Sequence, residues 1–265
     1  NNNLMSFQNN YLICLTISLL YTLGGIGFLV LIDIKQNKRW SKLTPNSKLI
    51  LSTIAILNLV AFVLIWLLES NNPLTLGSMS LGEQAMNAWF QATVPRSSGF
   101  NTIDTGAMEH STALLTMLLM FIGGGSLSTA GGIKVGTFVI LVLCVISFLR
   151  RNEEIRIFNH SVSQETTYKA LAVTAITGML VFIGCFTIFL LEPKLDALDL
   201  MFEVVSAACT VGLSRGATGE LHDGSLFVLS LLMYTGRLGP LTLAYLIATP
   251  KKSRLKHAIA NIQIG

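Results

Sequence analysis

Apolar residues in this chain gather in long runs between short polar stretches, and run length sorts them into kinds. Residues 11–32, 49–68, 170–191 and 224–248 each give a run of mostly apolar residues. Each matches or exceeds the about 20 helical residues that a bilayer core requires. Residues 83–94 and 198–209 are too short to cross, so they are predicted as half-membrane, re-entrant helices. Such a helix, with irregular backbone after it, is tolerated at depth only where protein or water surrounds it. Residues 111–149 have the opposite problem, being nearly twice the length a crossing needs. An interruption is predicted at GGGSLSTAGGIKVG, 123–136, because each glycine weakens a helix by about 1 kcal/mol relative to alanine.

The kinds recur in order. An apolar span, an acidic exit (Glu69, then Glu192 with Pro193), a short helix, a glycine turn and a second span occupy 49–149 and return over 168–248. The turns are PRSSGFNT at 95–102 and TVGLSRG at 210–216. The chain is accordingly divided into 1–48, the last span of a preceding unit with its loop, and two units, 49–167 and 168–265. Residues 1–10 are polar and lack a basic leader, so the run after them is not read as a secretory signal. GGIGF at 24–28 misses the third glycine of a dinucleotide motif and is assigned to close helix packing.

Composition agrees, with 52% hydrophobic and 12% charged residues, the balance of an integral membrane protein. Charge orients it. Lys35, Lys38, Arg39, Lys42 and Lys48, then Arg150, Arg151, Arg156 and Lys169, then Lys251, Lys252, Arg254 and Lys256 fall in three polar segments. The positive-inside rule places these in the cytoplasm, the second with a short amphipathic helix. The N-terminus then lies outside and the C-terminus inside. Arg96, Lys194 and Arg215 are left on the outer side with ten of the 14 acids, among them Glu69, Glu192, Asp199 and Glu203, an outer vestibule that would attract cations. The four cysteines are scattered through apolar runs as small core residues.

Candidate chemistry centres on the turns. In potassium channels a Thr-Val-Gly loop points carbonyl oxygens at a dehydrated cation, and Thr210, Val211, Gly212 and Leu213 offer such backbone. Ser97, Ser98, Gly99 and Phe100 supply the equivalent carbonyls in the first unit. The glycine-rich stretch is not a phosphate loop, since Ile133 separates Gly132 from Lys134 and Val135 follows. Lys134, a charge within the membrane, is functional by default against the alternative that it snorkels to the interface. The four histidines lie at loop or membrane edges without a nucleophile or ligand cluster, so no enzyme chemistry has a home and no nucleic-acid partner is implied. The competing class is an alternating-access carrier, but such carriers use inverted repeats and these two units run in the same orientation.

Together the duplicated span, pore helix, glycine turn and span, the broken helix ending in STAGGIK and the arginine of the last run resemble the Trk/Ktr/HKT potassium transporter superfamily, closest to the Ktr membrane subunit. The resemblance implies an all-α integral membrane protein built of repeated span, pore-helix, filter and span units with a potassium-channel-like fold, in the cell (plasma) membrane. It implies potassium at Ser98, Gly99, Val211 and Gly212, with sodium as a second, coupled ion. It casts Gly123, Gly124, Gly125, Ser126, Ser128, Thr129, Gly131, Gly132 and Lys134 as an intramembrane gate beneath the filter, with Arg237 near the centre of the last span as the pore-lining arginine. This loop is expected to be weakly held, having few apolar side chains. A homodimer on a cytoplasmic ring of nucleotide-binding regulatory subunits is implied as well, contacting the basic loops and the terminal NIQIG. The family's first two filters have no counterpart here, so a partial chain, even a non-conducting fragment, is expected.

Overall fold

A computed structural model describes residues 3–96, 98–128, 130–152, 154–158 and 160–239. Helices α1 (Tyr11–Ile26) and α2 (Phe28–Asn37) meet at a 94° bend at Gly27. The predicted straight span over 11–32 is therefore broken. Gly27 takes φ +97°, open to glycine, and a Cβ there would overlap the Ser126 carbonyl. GGIGF thus permits close packing against the intramembrane loop rather than against a helix.

Helix α3 (Pro45–Glu69) begins with Thr44, whose side chain accepts from Ser47 N, and with proline at its first position. Asp33 of α2 accepts from Thr44 N (2.9 Å) and Oγ1 (2.8 Å), closing the basic loop between the helices. The re-entrant helix α4 (Leu81–Thr93) carries a Ser80–Glu83 capping box. The long apolar stretch is split into α5 (His110–Phe121) and α6 (Val135–Leu149). In the second unit, α7 (Gln164–Leu191) is capped by Ser163, α8 (Ala197–Ala208) by Asp196, and α9 covers Asp223–Leu238. Among the described residues α3 and α7 are long and apolar enough to cross a membrane, and α1 with α2 meets the same test as a bent pair.

One further element differs from expectation. The amphipathic helix predicted in the 150–169 loop is instead a hairpin of β1 (Arg156–Ile157) and β2 (His160–Ser161), turned through Phe158 at φ +45°. Arg237 lies in the last turn of α9, which ends before Gly239 at φ +83°, while the remainder of the span expected over 224–248 lies outside the described residues. Residues 240–265, including the third basic segment and NIQIG, lie outside the described residues.

Within each unit the re-entrant helix packs on its spans, α4 on α3 and α8 on both α7 and α9, while α5 meets α8 between units. Phe90 (α4), Met120 (α5) and Phe202 (α8), all 0% exposed, form the core where the units meet. The outer flank of α7 leaves Met179, Phe182, Phe186 and Leu190 exposed, as a lipid-facing surface requires. The units also share one device. Buried Glu69, ending α3, accepts from the backbone N–H of Glu109, the cap of α5, at 2.9 Å. Buried Glu192, capping the end of α7, accepts from that of His222, the cap of α9, at 2.8 Å. In both, a carboxylate ending the first span satisfies a donor that starts the second.

Candidate functional site

The re-entrant helices α4 and α8 point their C-terminal ends, which carry partial negative charge, at the two glycine turns. The turns touch. A Cβ on Gly99 would stand 2.5 Å from the Gly212 carbonyl oxygen and 3.0 Å from Gly212 Cα, an approach that only glycine allows. Thr210 is held at φ +53°, strained for a β-branched residue, and Gly212 at +88°. Ser206 of α8 fixes this geometry, its carbonyl accepting from Val211 N (2.9 Å) and its hydroxyl from Gly212 N (3.1 Å). Val211 and Leu213 turn their side chains into the core while Gly212 is exposed. On the other turn Ser98 is buried, Phe100 stacks on Tyr21 with ring centroids 5.9 Å apart, and the Gly99 carbonyl accepts from Asn3 Nδ2 at 2.9 Å. Ser97 lies outside the described residues.

Between α5 and α6 the backbone folds back on itself. Ile122 and Ile133 form a parallel bridge, Gly123 N donates to Ile133 O and Ile133 N to Phe121 O, both at 2.9 Å, and Val135 N reaches Gly124 O at 2.9 Å. This pairing satisfies groups that would cost several kcal/mol each if left bare in lipid. Its glycines serve close approach. Gly125 N donates to Gly25 O at 2.7 Å, and a Cβ on Gly124 would stand 2.6 Å from that oxygen. On Gly131 a Cβ would overlap the Cys209 carbonyl and the Thr210 hydroxyl. The loop is therefore clamped between the α1–α2 bend and the TVG turn, contrary to the loosely packed segment expected from its few apolar side chains. Thr129 lies outside the described residues.

Below the turns a cavity of about 840 Å³ is lined by Ser128, Gly131, Gly132, Lys134, Thr210 and Arg237, among others. Lys134 Nζ donates to the Ala130 carbonyl, so this cation is bound back to its own loop. The structure thus brings Gly99 against Gly212 and gathers the loop, Thr210, Lys134 and Arg237 around the cavity.

Four of the acids assigned to the outer side are not free to act as a cationic lure. Glu69, Glu192 and Glu203 are buried, and Glu203 accepts from Thr218 Oγ1 (2.7 Å) and from the Ser214 hydroxyl. Asp199 is paired with Arg215 at 2.6 Å. Arg215 is not an outer solvent charge either, since its guanidinium also donates to the carbonyls of Thr105 (2.9 Å) and Gly106 (3.1 Å) and so ties the segments after the two turns together. Arg96 is 6% exposed, inside the protein. Glu192, outside the spans, is held at about 2 by the Ser225 hydroxyl and then by the His222 N–H. Residues with no motif to flag them are Ser206, Tyr21, Asn3 and Gly236, where a Cβ would overlap the Ala208 carbonyl. Of these only Gly236 carried a sequence signal, an isolated glycine inside an apolar run.

A family model described as TrkH, cation transport protein, matches residues 1–256. The Ktr system potassium uptake protein B of Bacillus subtilis (strain 168) is 38% identical over 99% of this chain and 59% of its own length, and that of Vibrio alginolyticus is 38% identical over 99% and 58%. The potassium/sodium uptake protein NtpJ of Enterococcus hirae is 33% identical over 99% and 59%. The chain thus spans about three fifths of the length of these relatives. The crystal structure of the potassium transporter TrkH from Vibrio parahaemolyticus superposes with a TM-score of 0.76 at 19% identity, covering 90% of this chain and 52% of that one, a likeness of fold.

Proposed function

This chain belongs to the TrkH family of cation transport proteins, and on that premise we propose that it supplies two consecutive repeats of a potassium uptake pathway in the cell membrane. In this reading 49–167 and 168–265 are the third- and fourth-type repeats, and 1–48 ends the second. Carbonyls of Ser98, Gly99, Val211 and Gly212 line the ion path. The 123–134 loop and Arg237 control the cavity beneath. The observation that carries the reading is the backbone contact of Gly99 with Gly212, which puts two glycine turns from separate units at one point, each at the negative end of a re-entrant helix.

The resemblance adds sodium coupling, a homodimer, a cytoplasmic nucleotide-binding ring, an outside N-terminus and a cytoplasmic C-terminus. The name of the Enterococcus relative, a potassium/sodium uptake protein, supports sodium as the second ion. The deciding experiment is uptake by the full protein in a potassium-uptake-deficient host. Gly212→Ser should admit sodium and lower the potassium-to-sodium uptake ratio about tenfold, the scale of one misplaced coordinating group. An unchanged ratio at normal membrane expression overturns the filter reading. Omitting sodium from the same assay should lower potassium uptake, and equal rates would remove sodium coupling.

A further inference from the structure

A charge is buried behind the first glycine turn. Arg96 ends the 3-10 turn Val94–Arg96 that follows α4, is 6% exposed and is in none of the ion pairs found among the described residues. Its Nε is buried with no hydrogen-bond partner among the described residues. The hydroxyl of Tyr21 on α1 is buried as well and lies beside Ser98 of the turn. The second unit has no counterpart, because Cys209 and Thr210 follow α8 directly.

Arg96 and Tyr21 line one small cavity of about 10 Å³, together with Thr22, Gly25, Ile54, Thr93 and Gly124. A site must hold about 10–15 Å³ of such space and two to four polar partners to take a water molecule. This one is at the lower end of that size and offers a guanidinium N–H without a partner among the described residues, whose isolation is disfavoured, and a phenol hydroxyl beside it. It is too small for a hydrated cation.

We infer that this cavity binds a single water molecule, held by Arg96 Nε and the Tyr21 hydroxyl between the glycine turn and the intramembrane loop, and that Arg96 is thereby a positioning residue for the filter. The inference rests on the filter reading above. Four elements converge on the site: α1 through Tyr21, Thr22 and Gly25, α3 through Ile54, the end of α4 with its 3-10 turn through Thr93 and Arg96, and the loop through Gly124. Gly131 of the same loop presses on Thr210, so the water joins one turn to a loop that already touches the other. Arg96 also sets a positive charge at the negative end of α4, where α8 has none, so the two turns offer a cation unequal fields.

Uptake by the full protein and a map resolving ordered waters test this together. Tyr21→Phe and Arg96→Gln should each lower the potassium-to-sodium ratio about fivefold, the scale of one buried hydrogen bond, with maximal potassium flux nearly kept. Arg96→Lys should restore part of the loss, and the double variant Tyr21→Phe with Arg96→Gln should lose no more than either single, since both remove one bridge. The map should show a peak within hydrogen-bond reach of both groups. An unchanged ratio in both single variants at normal expression, losses that multiply in the double, or an empty site in the map overturns the inference. Should Arg96→Gln not reach the membrane, Tyr21→Phe and the map decide. If Gly212→Ser also leaves the ratio unaltered, the filter reading is what fails, and the map alone then decides the water site.

Discussion

Glu192 shows how one side chain fixes a helix junction. The Ser225 hydroxyl and the His222 N–H lower its carboxyl from the ordinary 4.5 to about 2. A carboxyl whose folded value is depressed stabilises the fold while ionised, so the contribution is complete above about 4.5 and is lost as pH falls towards 2. Thermal unfolding in detergent should therefore show a gap between the native chain and Glu192→Gln that is full at neutral pH and closes across that window. A gap independent of pH would refute the assignment. Gly131 shows the opposite economy, a side chain that must be absent. Its Cβ would overlap Cys209 and Thr210, so Gly131→Ala should destabilise by about 1–3 kcal/mol, the range for an overpacked interior. An unshifted melting temperature would mean that the loop yields easily.

At the scale of elements the 122–134 segment matters most, because its backbone is joined to α1 at Gly25 and lies against Thr210. A segment wedged this way opens the cavity when it leaves and also releases one wall of the turn above. On the proposed function, deleting residues 124–132 should raise potassium flux and lower its dependence on the regulatory ring that the resemblance implies. The contact with Thr210 adds a fall in the potassium-to-sodium ratio. Arg237→Ala, which removes a charge from the cavity lining, should raise flux with the ratio kept. Uptake kinetics in a potassium-uptake-deficient host separate the two, and unchanged or reduced flux in both would leave the loop as architecture.

For the whole molecule, the question is what holds two like units in one arrangement. Apolar contact gains little in a bilayer, whose lipid tails are as apolar as leucine, so polar ties and close backbone approach weigh more. Arg215 is such a tie, bound to Asp199 within its own unit and to Thr105 and Gly106 of the other. Arg215→Ala should lower stability in detergent by about 2 kcal/mol, the scale of lost charge-assisted hydrogen bonds, and should widen hydrogen exchange around both turns together. Exchange confined to 210–216 would show that the units are joined elsewhere.

Run length and repetition along the chain were enough to locate most of the long and re-entrant helices, though not the bend within 11–37 or the hairpin at 156–161, because crossing a bilayer demands long apolar stretches and the chain spells them out twice. Helix α4 was expected over 83–94 and spans Leu81–Thr93, and the break before α6 was legible in six glycines. The glycine turns could be named for the same reason, since their backbone geometry restricts residue type. What those glycines pack against was decided by the tertiary structure. The bend at Gly27, the clamp on the loop and the contact of Gly99 with Gly212 each join segments distant in sequence. The charges behaved likewise. Counting placed Arg96 and Arg215 on the outer side and Glu69 and Glu192 in a vestibule there that would attract cations, yet the fold buries Arg96, Glu69, Glu192 and the Arg215 side chain and gives most of them partners. A charge count registers which side of a membrane a residue is on. Whether it meets water or a neighbour's N–H depends on where the other unit comes to rest.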